Sequence, residues 1–144
     1  MALKLIVGLD GTASGERALA HARRLARLVP DSELLLVYVI EWSPYTFHTP
    51  EENAERHKRR GEEIEAATSR IVEPAVAAVE DDFAVRGLVR HGKVAEVLNN
   101  IALEENADQI VVARATAEGL AARMFGTSTA NLVMTASVPV TVVA

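Results

Sequence analysis

Gly126-Thr127-Ser128-Thr129 is the stretch of this chain whose residue types and order could hold an anion. A glycine lets the backbone come close to a ligand. If the three hydroxyl residues after it open a helix, their amides lie where the partial positive charge of the helix favours a phosphate. Thr127 or Ser128 could equally do no more than cap that helix, as hydroxyl residues do at many helix starts. Asp10 is a second candidate, placed where the apolar run Leu3–Leu9 breaks at Asp10-Gly11-Thr12. His91, in Arg90-His91-Gly92, is a third, expected in a strand-to-helix turn on the ligand-binding side of a sheet or, more mundanely, bonded to its own backbone. Asp10, His91 and Ser128 are the side-chain types of a nucleophilic triad, but no Gly-x-Ser-x-Gly elbow accompanies them. A Walker lysine motif is missing, the first strand offers only Gly8-Leu9-Asp10-Gly11 in place of a dinucleotide fingerprint, and four scattered histidines without a cysteine have no metal-ligand spacing. A dedicated catalyst is not expected.

The elements that must position these residues follow from hydrophobic periodicity. Gln109 onward (Gln-Ile-Val-Val-Ala) and Val138–Val143 are β-branched runs that flank the Gly126 turn and a short amphipathic segment, making a strand, loop, helix, strand unit able to form a parallel crossover. Leu3–Leu9 and Glu33–Ile40 are nearly continuous apolar runs, as in strands buried on both faces. Phe83–Val89 is a weaker strand, interrupted by Arg86 and Gly87, and is expected at a sheet edge. Helices are expected over Ser14–Val29, from the Thr49-Pro50-Glu51-Glu52 start with a division near Pro74, and over Lys93–Glu105. His21 and His57, set among arginines, read as solvated surface residues. Trp42, Pro44, Tyr45, Phe47 and His48 gather in the loop after the second strand, where they could close over a bound base or a partner, or fold back over their own helices. The pattern βαβαβαβαβ makes the fold class α/β, a doubly wound parallel sheet with helices on both faces. If its first and fourth strands flank the reversal of strand order, Asp10, the loop from Arg114 and the Gly126 turn converge on one crevice.

At 144 residues the chain is expected to form one domain, 1–144, large enough to hold a core without staples. With 15 basic against 20 acidic side chains the net charge is −5, which argues against a general nucleic-acid binder. The absence of cysteine excludes disulfides and thiolate metal sites and fits a reducing compartment. The run Leu5–Leu9 is too short for an export signal, and no run approaches the roughly 20 apolar residues of a bilayer span, so a cytoplasmic location is expected.

Several stretches together resemble the universal stress protein family over essentially the whole chain. They are Ile6-Val7-Gly8-Leu9-Asp10-Gly11-Thr12 with Ser14 and Ala18-Leu19, then Val37-Tyr38-Val39, then His91-Gly92 before Ala95-Glu96-Val97, and finally Ser137-Val138-Pro139-Val140-Thr141-Val142-Val143. The resemblance implies a five-stranded sheet of order 3-2-1-4-5 and pairing of the fifth strands into a homodimer. It also implies, in many members, ATP bound through glycine, two residues, glycine, nine residues, glycine and a small hydroxyl residue. On this chain those positions are Ala113, Thr116, Gly126 and Thr127, so two of the three glycines are replaced. By the same resemblance Asp10 falls near the ribose and phosphates, Val39 where backbone meets adenine, and Ser128 and Thr129 in the phosphate-contacting turn. At Thr116 a β-branched residue in a left-handed position would carry about 1–3 kcal/mol of strain. At Ala113 the methyl matters only if it faces the ribose or the backbone needs a positive φ. Arg114 and Arg123 could add positive charge or be solvated.

ATP is therefore expected to bind weakly, with Mg2+ only in its company and at most slow hydrolysis. The alternative is a dimeric interaction protein of the same fold that binds no nucleotide. In both cases Val138–Val143, an apolar edge without a lysine or glutamate, is expected to pair two chains. An unidentified protein client is the further partner, with neither nucleic acid nor membrane.

Overall fold

The computed structural model describes residues 2–41, 49–114 and 120–144, with the backbone alone over 120–126. Five strands, β1 (Lys4–Leu9), β2 (Glu33–Glu41), β3 (Ala84–Gly92), β4 (Gln109–Ala113) and β5 (Val140–Val143), form one parallel sheet in the order β3-β2-β1-β4-β5. Helices α1 (Ala13–Arg27), α2 (Pro50–Ala67), α3 (Glu73–Val79), α4 (Val94–Glu104) and α5 (Leu120–Thr135) connect them, with one π-helical turn, Thr68–Val72, between α2 and α3. The fold class and strand order are those expected.

The two faces of the sheet sort by alternation. Leu5, Val7, Leu34, Leu36 and Val111 pack under α1 and the end of α3, while Ile6, Leu35, Val37, Ile110 and Val112 pack under α4 and Leu132 of α5. Leu34 to Val37 are wholly buried, which is why β2 shows an unbroken apolar run rather than alternation.

Local signals set several element ends. Thr49 caps α2 by a capping box, Glu52 N donating to Thr49 Oγ1 (3.2 Å) and Thr49 N to Glu52 Oε2 (3.0 Å), with Pro50 opening the helix. Asn106 ends α4 in a left-handed conformation (φ 52°), so that Ala107 N returns to Ala102 O (2.9 Å).

Two boundaries differ from expectation. β3 runs on to Gly92 because β2 extends to Glu41 and the ladder pairs Ile40 with His91 and Glu41 with Gly92, so His91 is a strand residue rather than a turn residue. β5 starts at Val140, not Val138; Pro139 cannot donate to the ladder, and its carbonyl accepts Ile110 N instead (2.9 Å). The division of the long helix does fall near Pro74: the π turn ends just ahead of it, and Pro74 sits in the first turn of α3.

That π turn explains Gly87. A Cβ there would overlap the side chain of Val72, itself 2 % exposed, so β3 carries a glycine where the helical layer presses on the sheet. Further along, at the amino ends of the strands, Arg86 reaches Glu105 Oε2 (2.6 Å) and Glu33 Oε1 (3.3 Å), and Lys4 Nζ lies 3.5 Å from Glu105 Oε2. The hydrogen bond from Arg86 holds the Glu105 carboxyl below its ordinary pKa, and the same bond raises that of Arg86.

Candidate functional site

At the opposite end of the sheet, where β1, β2 and β4 finish, the structure contains a cavity of about 210 Å³. It lies at the reversal of strand order, since β2 and β4 both flank β1. Gly8, Val37, Leu98, Val112 and Leu132 supply apolar walls, and Asp10, Val39, Glu41, Ala113, Ser128 and Thr129 also line it.

Gly8 keeps that space open. A Cβ at this position would stand 2.9 Å from Val112 Cγ1 and 3.4 Å from Leu98 Cδ1. Asp10 is positioned by the start of α1: its Oδ1 accepts from Thr12 N (2.9 Å), Thr12 Oγ1 (2.7 Å) and Gly15 N (3.0 Å). Thr12 in turn caps α1 by accepting from Ser14 N (3.2 Å). Gly15 is needed for this approach, because a Cβ there would meet Asp10 N at 3.0 Å and Leu9 Cα at 3.2 Å, backbone that has no room to yield. Arg17 closes the assembly from behind, donating to Arg114 O (2.7 Å), Ala144 O (3.2 Å) and Ser14 Oγ (3.3 Å), and so ties α1 to the ends of β4 and β5.

The sequence-derived candidates divide. Asp10, Val39, Ala113, Ser128 and Thr129 are brought together on the cavity. Ala113 is the last residue of β4, paired with Val143, and is not among the described residues with a positive φ. Its backbone therefore needs no glycine, and any effect of its methyl comes from the space it takes. Thr116 and the aromatic loop residues Trp42, Pro44, Tyr45, Phe47 and His48 lie outside the described residues.

Gly126 and Thr127 require a correction. They do not open a helix: α5 begins at Leu120, so Gly126, Thr127, Ser128 and Thr129 lie well inside it and their amides belong to its internal hydrogen-bond ladder. The anion cradle expected from free amides is not formed. Leu120-Ala121-Ala122-Arg123-Met124 are strong helix formers, and one interior glycine, about 1 kcal/mol worse than alanine, does not stop propagation through them. Thr127 is exposed on α5.

His91 is also elsewhere. Its Nε2 lies 2.9 Å from Glu63 Oε2 on α2, and its side chain is 10 % exposed. The triad arrangement of Asp10, His91 and Ser128 therefore lacks its central contact, since the histidine is engaged by α2 while the other two face the cavity. Among the described residues no group of three or more histidine, aspartate or glutamate side chains could hold a metal ion, and no helix is long and apolar enough to cross a membrane.

Sequence reasoning missed Glu41, Gly15 and Arg17. Glu41 reads locally as the polar end of a strand and Arg17 as a flanking helix charge; only Gly15, a glycine just inside a helix start, is locally unusual.

The sequence model of the Universal stress protein family matches residues 1–144. The chain belongs to the universal stress protein family. Among solved structures it is similar to the hypothetical protein MJ0577, at 23 % identity and a TM-score of 0.78, covering 98 % of this chain and 94 % of that one. It is also similar to a universal stress protein solved in complex with cAMP, at 24 % identity, TM-score 0.58, and 98 % and 95 % coverage. A universal stress protein family protein from Arabidopsis thaliana with AMP bound shares 16 % identity, with TM-score 0.60 and 98 % and 90 % coverage. No curated protein matches the chain. At these identities the likenesses show the fold, and family membership rests on the full-length match of the universal stress protein model.

Proposed function

We propose that this chain is a cytoplasmic stress-response regulatory protein that holds an adenine nucleotide weakly in the cavity at the ends of β1, β2 and β4. The observation that carries this reading is the convergence of Asp10, Val39, Ala113, Ser128 and Thr129 on one apolar cavity at the strand-order reversal. The family, and relatives solved with AMP and with cAMP, supply the ligand class. ATP is the nucleotide the family motif implies, its binding weakened because two of the three glycines are replaced at Ala113 and Thr116, with Mg2+ accompanying it only when it binds. Calorimetric titration of AMP, cAMP and ATP is expected to show weak binding of adenine nucleotides and tighter ATP binding by Ala113→Gly/Thr116→Gly. Silence from all three ligands at millimolar concentration would remove the nucleotide reading. What would then stand is a dimeric interaction protein without nucleotide, a reading favoured by the way α5 absorbs the Gly126–Thr129 amides.

Both readings include a homodimer through β5. The two sheet edges differ in chemistry. β3 presents Arg86, Arg90 and His91, engaged with Glu105, Glu104 and Glu63, whereas β5 is Val140-Thr141-Val142-Val143 with Val142 40 % exposed. A charged edge resists pairing and an apolar one invites it. Light scattering at micromolar concentration should return the mass of two chains, and Val142→Lys should shift it toward one. A wild type of monomeric mass refutes the interface. The client of the dimer is a protein, and the net charge of −5 speaks against nucleic acid.

A further inference from the structure

The charged side chains among the described residues lining the cavity are Asp10 and Glu41. Asp10 follows β1 and Glu41 ends β2, and these are neighbouring strands paired in parallel up to Leu9 and Tyr38, so both carboxylates stand on the same rim. Among the described residues, Glu41 and Asp10 Oδ2 have no hydrogen-bond partner, while Asp10 Oδ1 is fixed by its three donors. The amides of Thr127 to Thr129 are taken up by α5 and do not offset this charge.

From this arrangement we infer that the cavity selects an uncharged purine nucleoside over the corresponding triphosphate. The inference rests on the adenine-nucleotide reading above and narrows its ligand. A flat aromatic base suits walls built of Gly8, Val37, Leu98, Val112 and Leu132, where burial of apolar surface supplies the affinity. The hydroxyls of a ribose are donors, and a carboxylate is an acceptor with two oxygens, so Asp10 Oδ2 and Glu41 are suited to receive them. Phosphate groups bring only acceptors and negative charge to the same rim. They meet like charge there, and that repulsion grows where solvent is partly excluded.

The deciding experiment is calorimetric titration of adenosine, AMP and ATP, without Mg2+, into the wild-type protein and into Glu41→Gln, at low and at physiological salt. Adenosine is expected to bind about tenfold more tightly than ATP, the size of one poorly screened like-charge contact. AMP should fall between them, and the gap should narrow at higher salt. Glu41→Gln removes one charge while keeping the side chain's shape, and should raise ATP affinity severalfold and shrink the gap. Because Glu41 is exposed and partnerless among the described residues, the variant is expected to fold, and an unchanged circular dichroism spectrum checks this. ATP binding more tightly than adenosine, or a gap indifferent to Glu41→Gln, overturns the inference and leaves the nucleotide reading standing. Failure of all three ligands overturns both.

Discussion

Truncating Leu98 to alanine should lower the stability of this protein by about 2–5 kcal/mol. Leu98 is 1 % exposed, sits on the buried face of α4 with Val97, Ile101 and Ala102, and forms a wall of the cavity. Its removal takes away apolar contact on the sheet side and leaves a void that neighbours fill only in part, since Gly8 opposite has no side chain to move in. Leu103 is the internal control: it lies on the same helix, is 53 % exposed, and its replacement by alanine should stay within about 0.5 kcal/mol. Urea denaturation of the two variants makes the comparison at equal helix content. Equal effects would mean that α4 does not dock on the sheet through the face described. The same truncation enlarges the site, so Leu98→Ala should also weaken any ligand that relies on apolar contact there.

The second large effect is expected at Gly87. Alanine ordinarily helps a strand relative to glycine, by reducing the freedom of the unfolded chain and adding side-chain contact. Here the sign should reverse. The new Cβ would overlap the Val72 side chain and stand 3.3 Å from Val76 Cγ2, and both belong to the helical layer rather than to a free surface chain. Overpacking of this kind costs about 1–3 kcal/mol. Val72→Ala alone also destabilises, because Val72 is buried, yet it opens the space that the Gly87 methyl needs. In a double-mutant cycle the combined loss should therefore fall short of the sum of the single losses by about 1 kcal/mol or more. Additive losses would contradict the direct contact between the π turn and β3. The π turn sets Val72 against a strand that has no side chain there.

The fold was legible in the residues because its signals are local and repeated. Unbroken apolar runs at Leu3–Leu9 and Glu33–Ile40 require strands covered on both faces, and Thr49-Pro50 with Glu52 marks a helix start whatever surrounds it. Family resemblance added the strand order and pointed to Asp10, Val39, Ala113, Ser128 and Thr129, which the fold gathers on one cavity. Tertiary structure decided the rest, except for the start of α5, which is a local effect. Gly126-Thr127-Ser128-Thr129 carries the composition of a helix start, but a helix already nucleated at Leu120 propagates through it, because each added residue gains a hydrogen bond and a single glycine costs little against that. His91 became a strand residue because β2 extended its ladder, a contact between residues about fifty positions apart. The same holds for Glu41 on the cavity rim, Arg17 bonded to Arg114 O and Ala144 O, and Gly87 beneath Val72. Each is defined by a neighbour distant in the chain, so its residue type is ordinary until folding supplies the partner.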